Sequence, residues 1–123
     1  MNRYLAEHVK RRQQWSTDKE PRVARLRRSR RYFHRQVDQL ISSLIVPNSY
    51  VLDLGCGDGT TLARCAADPG WGIDLDEAAV SVARENNTEM TFLNAPIEDL
   101  EDLPLPNPDY IVMSMLLDEV YDV

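Results

Sequence analysis

An aspartate followed by three alternating glycines is the feature of this sequence best suited to chemistry. The run D-L-G-C-G-D-G occupies positions 53–59 and follows the apolar pair at 51–52. A glycine at a strand end lets the backbone turn sharply, and the missing side chains let a ligand approach the backbone closely. A helix that begins after such a loop points its free N–H groups at the ligand. The run therefore predicts a ligand-binding loop between a strand and a helix.

The spacing of these glycines differs from the nucleotide-binding fingerprint G-x-G-x-x-G. That fingerprint requires glycine at position 60, where this sequence has Thr60, and the third glycine comes one position early, at Gly59. Asp53 would also repel a pyrophosphate, whereas it suits a ligand with a cationic amino group. The loop therefore favours a cationic ligand over a nicotinamide dinucleotide.

The elements that must position this loop alternate between strands and helices. Short apolar runs predict strands at 50–54, 71–75, 90–93 and 110–115, and the segments 60–67 and 76–86 predict helices. This alternation predicts a parallel sheet with crossover helices. Ahead of the sheet, residues 3–16 and 22–45 predict two further helices. The apolar face of the second is formed by Leu26, Phe33, Val37, Leu40, Ile41, Leu44 and Ile45.

The length and composition describe one globular domain. The chain has 123 residues, of which 43% are hydrophobic and 28% charged. No apolar run approaches the roughly 18 residues that a membrane span needs, and the basic, polar start does not resemble a secretory signal. The two cysteines, Cys56 and Cys65, form no zinc-binding pattern. Two thiols without a secretory signal favour a reducing, cytoplasmic location.

Charge is divided unevenly along the chain. The formal net charge is −6, but residues 1–50 carry +8 and residues 51–123 carry −14. We interpret the division as two oppositely charged parts of one domain that pack together. A nucleic-acid-binding arm at 22–35, with Tyr32 and Phe33 stacking on bases, is the weaker alternative because the acidic half would repel phosphate. Nucleic acid and membrane are therefore not expected as partners.

The glycine run resembles the first motif of the class I S-adenosylmethionine-dependent methyltransferases. G-I-D-L-D at 72–76 resembles the second motif of that family, in which an acid ending the second strand holds the ribose hydroxyls. Asp74 lies 17 residues after Gly57, near the ~20-residue spacing of a ribose-binding acid. I-E-D-L at 97–100 and P-D-Y-I-V-M-S at 108–114 resemble the adenine loop and the fourth strand. The resemblance covers about residues 30–123 and implies a Rossmann-like α/β fold.

The resemblance also implies a cofactor site that runs from the glycine loop to the adenine loop. The loop would line the methionine part of S-adenosylmethionine, with Asp53 near the amino group through water. Asp74 would hold the ribose, Leu75 would pack on the adenine, and Ser114 and Met115 would lie near the transferable methyl. The residues assigned to cofactor binding are Asp53, Gly55, Cys56, Gly57, Gly59, Asp74, Leu75, Ile97, Glu98 and Ser114.

Two parts of the implied site have competing interpretations. The family commonly has an acid at the end of the third strand that accepts a hydrogen bond from the adenine amino group. The alignment places Pro96 there, with Asn94 two residues away as a substitute. The segment around Tyr32, Phe33 and His34 resembles the part that caps the cofactor, but the two aromatic residues fit the core better and His34 fits the surface.

The resemblance implies a methyltransferase acting on a small molecule or a glycan-linked group. Transfer from a sulfonium needs orientation rather than a fixed acid or base, so we assign no residue to catalysis. No residue is assigned to metal binding. Residues 1–46 are expected to form an N-terminal helical cap and residues 47–123 a partial cofactor domain that ends after its fourth strand. A partner, or a further half of the domain, would cover the edge of that strand. The alternative is a non-catalytic cofactor-binding module.

Overall fold

The computed structural model describes residues 21–114, with side chains from residue 31 onward. Nearer the N-terminus it describes helical backbone at Arg3, Ala6, Glu7, Lys10 and Arg11. Most of the helix predicted at 3–16 lies outside the described residues, as do Met115 and the rest of 115–123. Helix α1 spans Pro21–Leu44, close to the predicted 22–45. No helix in the described ranges is both long enough and apolar enough to cross a membrane.

Within the described residues, four parallel strands form one sheet in the order β3-β2-β1-β4. The chain moves outward from β1 to β3 and then crosses to the other side of β1, so the order reverses between β1 and β4. Ligands of open α/β sheets bind beyond the carboxyl ends of the strands at such a reversal. The predicted Rossmann-like parallel sheet is confirmed. The strands are β1 Val51–Leu54, β2 Gly70–Asp74, β3 Thr91–Asn94 and β4 Tyr110–Val112.

The connecting helices are shorter than the sequence predicts. Helix α2 spans Thr60–Arg64 rather than 60–67 and is followed by Ala66 at φ 50°, a left-handed conformation that cannot continue a helix. Helix α3 spans Glu77–Asn86, and the Asp76 side chain accepts hydrogen bonds from two N–H groups in its first turn. This cap satisfies donors that would otherwise be orphaned. Between β3 and β4, where the sequence predicts neither a helix nor a strand, a 3₁₀ helix spans Ile97–Asp102.

Apolar side chains cover both faces of the sheet. Because side chains alternate along a strand, Val51 and Asp53 point to one face and Leu52 and Leu54 to the other. Val51 is fully buried and Leu52 and Leu54 nearly so. The layer on the Val51 face lies under the helices and includes Ile45, Leu62, Cys65, Val80, Ala83, Phe92 and Val112. The opposite layer lies under the 3₁₀ helix and its flanking segments and includes Ile73, Leu93, Ile97, Leu100 and Leu103.

Helix α1 contributes less to the core than its apolar pattern predicts. It packs against α2, but only part of its predicted apolar face is buried. Tyr32 is 72% exposed and Phe33 is 51% exposed, so their assignment to the core is wrong. Leu40 and Leu44, which belong to the predicted apolar face, are exposed as well. Val37, Ile41 and Ile45 of the same face are half-buried or buried.

Candidate functional site

Backbone hydrogen bonds hold the glycine loop over the end of β2. The N–H groups of Gly55 and Cys56 both donate to the carbonyl oxygen of Ile73, at 2.8 and 3.1 Å. The N–H of Gly57 donates to Oδ2 of Asp74 at 2.8 Å. The glycines of the loop adopt φ angles of 79°, 53° and 81° in sequence order. All three lie in the left-handed region that favours glycine, so the alternating spacing specifies the path of the loop.

Gly57 and Gly59 have different surroundings. A Cβ at Gly59 would lie 2.9 Å from Cζ of Phe92 and 3.0 Å from Nδ2 of Asn87, so glycine is required there for packing. At Gly57 a Cβ would meet no atom within 4 Å. The missing side chain of Gly57 therefore faces open space that a ligand can occupy.

A cavity of about 430 Å³ opens beside the loop, where the strand order reverses. This volume lies in the range of small-molecule sites, roughly 300 to 1,000 Å³. The cavity brings together half of the predicted cofactor residues, from β1, the glycine loop and the segment after β4. Those residues are Asp53, Gly55, Cys56, Gly57 and Ser114.

Asp53 is the buried charge of this cavity. It is 3% exposed, and no hydrogen bond to its carboxylate is found among the described residues. Burial raises the pKa of Asp53 to about 7, and the nearby carboxylates of Asp38 and Asp74 add to the shift. A desolvated carboxylate without a partner is stabilised by an incoming cation. The residues present therefore fit the amino group of the expected cofactor.

The thiol beside this carboxylate is protonated. Cys56 is buried, and its burial raises the pKa of the thiol, with the carboxylates of Asp74 and Asp53 adding to the shift. Its Sγ lies 3.7 Å from the carbonyl oxygen of Gly57. A neutral thiol packed under the loop lines the cavity without acting as a nucleophile.

Asp74 differs from Asp53 because both of its oxygens already have partners. Oδ2 accepts from the N–H of Gly57, and Oδ1 accepts from the N–H of Asp76, each at 2.8 Å. Asp74 therefore fixes the glycine loop to the end of β2, a role that its position in the sequence does not reveal. A carboxylate can accept about four hydrogen bonds, so acceptor capacity remains for ribose hydroxyls.

The residues predicted for the adenine side do not line the cavity. Ile97 packs into the layer on the Leu52 face of the sheet. Glu98 and Leu75 are half-buried. Nδ2 of Asn94, the proposed substitute for the missing acid, donates to the backbone carbonyl of Asp74 at 3.0 Å. The structure thus gathers the methionine half of the predicted site in one cavity and leaves the adenine half beside it.

Helices α1 and α2 supply lining residues that we did not predict. Of the predicted cap residues, His34 lines the cavity and the two aromatic residues before it do not. Oγ1 of Thr61 donates to Oδ1 of Asp38 at 2.6 Å, which joins α2 to α1. Positions 31, 34, 35 and 38 fall on one helical face, and this spacing is the signal that could have revealed them. The unpredicted lining residues are Arg31, Arg35, Asp38, Asp58, Thr60, Thr61 and Arg64.

Comparison with known proteins identifies the family. Residues 51–122 match the family described as "Methyltransferase domain". The chain belongs to this methyltransferase family. A ribosomal protein L11 methyltransferase of Ruminiclostridium cellulolyticum is 35% identical over 92 residues, which cover 68% of this chain and 29% of that relative. Another, of Burkholderia vietnamiensis, is 48% identical over 50 residues, covering 38% and 17%. The chain thus spans less than a third of these curated relatives.

Solved structures agree on the fold. The plantazolicin methyltransferase BamL, in complex with a triazolic desmethylPZN analog and SAH, matches with a TM-score of 0.61 at 20% identity, over 86% of this chain and 44% of BamL. A TehB-like SAM-dependent methyltransferase from Corynebacterium glutamicum matches with a TM-score of 0.52 at 19% identity, over 75% and 54%. The family match confirms the predicted methyltransferase family, and the solved structures confirm the predicted fold.

The prediction of a small-molecule partner is wrong. The curated relatives are named for ribosomal protein L11, which is a protein substrate. The motifs at 53–59 and 72–76 lie in the cofactor half of the fold. The same cofactor chemistry serves many acceptors on one fold, so these motifs carry no information about the acceptor.

Proposed function

We propose that the cavity beside the glycine loop binds the methionine end of S-adenosylmethionine. The observation that carries the proposal is Asp53, a buried carboxylate that lines the cavity and has no hydrogen-bond partner among the described residues. The open space at Gly57 lets a ligand reach the backbone of the loop. The amino group of the cofactor would supply the cation that Asp53 lacks. When bound, the cofactor supplies a methyl group activated on a sulfonium.

The ribose and adenine are proposed to lie at the ends of β2 and β3. The Asp74 carboxylate adjoins the loop through its hydrogen bond to Gly57, and its remaining acceptor capacity suits ribose hydroxyls. Asp74 pairs in register with Asn94 of β3, so the two strands end at one edge of the sheet. The adenine would pack on Leu75, with its edge toward Ile97 and Glu98.

The transferable methyl and the cap are proposed on the other side of the cavity. Ser114 lines the cavity from beyond β4, across the reversal of strand order from the glycine loop. His34 lines it from α1, which supports residues 1–46 as a cap over a cofactor domain at 47–123. The two described cysteines, Cys56 and Cys65, are both free thiols, which supports a cytoplasmic location.

We propose that the methyl acceptor is a protein. The support is the name shared by the relatives, one of which is 35% identical over 92 residues. A protein acceptor needs a surface rather than a closed pocket, and the cavity is partly open, with residues of α1 and the segment after β4 in its lining.

Calorimetric titration tests cofactor binding directly. We expect saturable binding of S-adenosylmethionine and of its demethylated product, and no binding of NAD. Binding of NAD instead, or binding of none of the three, would contradict the proposal.

Methyl transfer is tested with tritium-labelled cofactor and purified ribosomal protein L11. Incorporation of label into the protein is the expected result. Cofactor binding without transfer to L11, or to other ribosomal proteins, would contradict the protein acceptor and favour a non-catalytic binding module.

A further inference from the structure

Two aspartate–threonine pairs lie on the wall of the cavity. In the first, Oγ1 of Thr61 in α2 donates to Oδ1 of Asp38 in α1 at 2.6 Å. In the second, Oγ1 and the N–H of Thr60 donate to Oδ1 of Asp58, at 2.6 and 3.1 Å. All four residues line the cavity. The two pairs consist of the same residue types, so any difference in their roles comes from their surroundings.

The Thr60–Asp58 pair is local to the glycine loop. Its members are two residues apart and both are exposed. An aspartate that bonds the backbone two residues further on closes a turn, and here the turn leads from the loop into α2. Because Asp58 is exposed, water screens its charge from a ligand in the cavity. This pair shapes the loop.

The Thr61–Asp38 pair joins two helices that are distant in the sequence. Helix α1 packs against α2, and the two residues are 23 positions apart. Both are half-buried, so water competes less for either partner. The bond occupies Oδ1 of Asp38, and no hydrogen bond to Oδ2 is found among the described residues. Thr61 therefore holds a carboxylate on the cavity wall with one oxygen still available as an acceptor.

The charge of Asp38 acts on the buried carboxylate of Asp53. Burial raises the pKa of Asp53 to about 7, and the Asp38 carboxylate adds to this upward shift. Two carboxylates that face one cavity repel each other, and a cation that attracts both relieves the repulsion. The pair thus favours a cationic group more strongly than Asp53 does alone.

We propose that Asp38 is a second carboxylate for the ammonium of the cofactor and that Thr61 is the positioning residue that holds it there. The inference rests on the proposed function and deepens it, because it adds two residues to the recognition of the amino group. The contact between α1 and α2 then serves the ligand as well as the fold.

The test compares two ligands that differ only in the amino group. Wild type and variants are titrated with the demethylated product of the cofactor and with its deamino analogue, in which hydrogen replaces the amino group. The ratio of the two affinities measures recognition of the ammonium. In Asp38→Asn this ratio should fall about fivefold, as expected for a partly exposed charge pair. A merely structural role would weaken both ligands equally and leave the ratio unchanged.

Thr61 is tested by removing its hydroxyl while keeping its branched shape. Thr61→Val loses the donor, so the ratio should fall about threefold as Asp38 leaves its position. Thr61→Ser restores the hydroxyl and should keep the ratio within about 1.5-fold of wild type. In the Asp38→Asn background, Thr61→Val should not change the ratio further, because Thr61 acts only through Asp38. A further fall there would contradict the positioning role.

The pH profile of binding gives an independent measurement. Affinity for the demethylated product should rise as Asp53 ionises, and in Asp38→Asn the rise should occur at lower pH, because a like charge beside Asp53 is gone. An unmoved profile would contradict the proposal. The other charged or titratable side chains around Asp53 are present in both proteins and do not account for a difference between them. They are Arg31, His34 and Arg35 of α1, Arg64 of α2, Cys56 and Asp58 of the loop, Asp74 of β2, and Cys65.

The Thr60–Asp58 pair supplies the matched control. Asp58→Asn removes one carboxylate from the wall of the same cavity and should leave the ratio within about 1.5-fold of wild type, because that carboxylate is exposed. An unchanged ratio in Asp38→Asn, or an equal fall in Asp58→Asn, would overturn the assignment. Failure of wild type to bind the demethylated product would instead refute the proposed function itself.

Discussion

The methionine half and the adenine half of the predicted site lie at one edge of one sheet, yet their polar groups are in opposite states. In the methionine half, Asp53 is buried without a hydrogen-bond partner among the described residues, and Gly57 faces open space. In the adenine half, both oxygens of Asp74 accept backbone N–H groups, and Asn94 donates to the backbone. In the methionine half, a ligand can supply the missing hydrogen-bond partner. In the adenine half, Asp74 and Asn94 already have hydrogen-bond partners within the fold.

The difference shows how one motif can serve binding and folding at once. Asp74 fixes the loop that presents Gly57 and Asp53 to the cavity. Substitutions in the methionine half should therefore change ligand affinity, and substitutions in the adenine half should first change stability.

Two glycines two residues apart give the largest predicted contrast. Gly59→Ala places a Cβ 2.9 Å from Cζ of Phe92 at a φ of 81°, and we expect unfolding to become easier by about 3 kcal/mol. Gly57→Ala meets no atom within 4 Å, so the cost is only the left-handed strain of about 1 kcal/mol. Urea denaturation measures both values.

The same pair separates folding from binding. Gly57→Ala fills the space reserved for the ligand, and its affinity for S-adenosylmethionine should fall by about tenfold or more at nearly native stability. Equal loss of stability in the two variants would contradict the assignment of Gly57 to the ligand and Gly59 to packing.

Asp53→Asn gives the next largest effect. We expect it to weaken cofactor binding and to raise the stability of the fold. Asp53→Asn removes the charge that faces the cofactor amino group, and affinity should fall about 30-fold, or about 2 kcal/mol. Folding raises the pKa of Asp53 from 3.8 to about 7. Ionisation therefore costs the folded state stability as pH rises from about 4 to 7.

The stability of the Asp53→Asn variant follows from this upward shift of the pKa of Asp53. At pH 8 its free energy of unfolding should exceed that of wild type by about 1 to 2 kcal/mol, and the gain should vanish below pH 4. Denaturation at the two pH values measures the difference. A variant that is less stable than wild type at pH 8 would show that Asp53 has a structural partner.

Asp74 and Asp76 form a matched pair for the adenine half. Asp74 uses both oxygens as acceptors, so Asp74→Asn turns an NH₂ toward a backbone N–H, and stability should fall by about 1 to 2 kcal/mol without ligand. Asp76 uses only Oδ1, for both bonds of the α3 cap, and Asn caps helices as well as Asp does. Asp76→Asn should therefore be nearly neutral. Equal losses in the two variants would contradict the loop-fixing role of Asp74.

The part of the site that could be predicted is the part whose geometry is local. Gly57 and Gly59 reveal their loop because a left-handed backbone favours glycine wherever it occurs. The end of α2 was missed because Ala66 takes a left-handed φ of 50° that its residue type does not signal. The arginines of α1 were missed for another reason. Arg31 and Arg35 look like any solvated helix face until tertiary packing places them beside the cavity.

The pH dependence of binding gives the smallest predicted effect and tests the methionine half alone. The pKa of Asp53 is about 7 without ligand, so about a tenth of the carboxyl groups are ionised at pH 6 and about three quarters at pH 7.5. Only the ionised form attracts the cofactor ammonium. Affinity for S-adenosylmethionine should therefore rise about five- to eightfold over this range, as measured by calorimetry.

The other charged groups of the cavity decide how this profile is read. His34 lines the same cavity, and histidine side chains change charge in the same pH range. The imidazole of His34 is the other candidate for the origin of a slope, so it needs a control variant. The slope should persist in His34→Asn and disappear in Asp53→Asn. A slope that disappears in His34→Asn and persists in Asp53→Asn would show that Asp53 does not bind the ammonium. It would also contradict the difference between the two halves of the site.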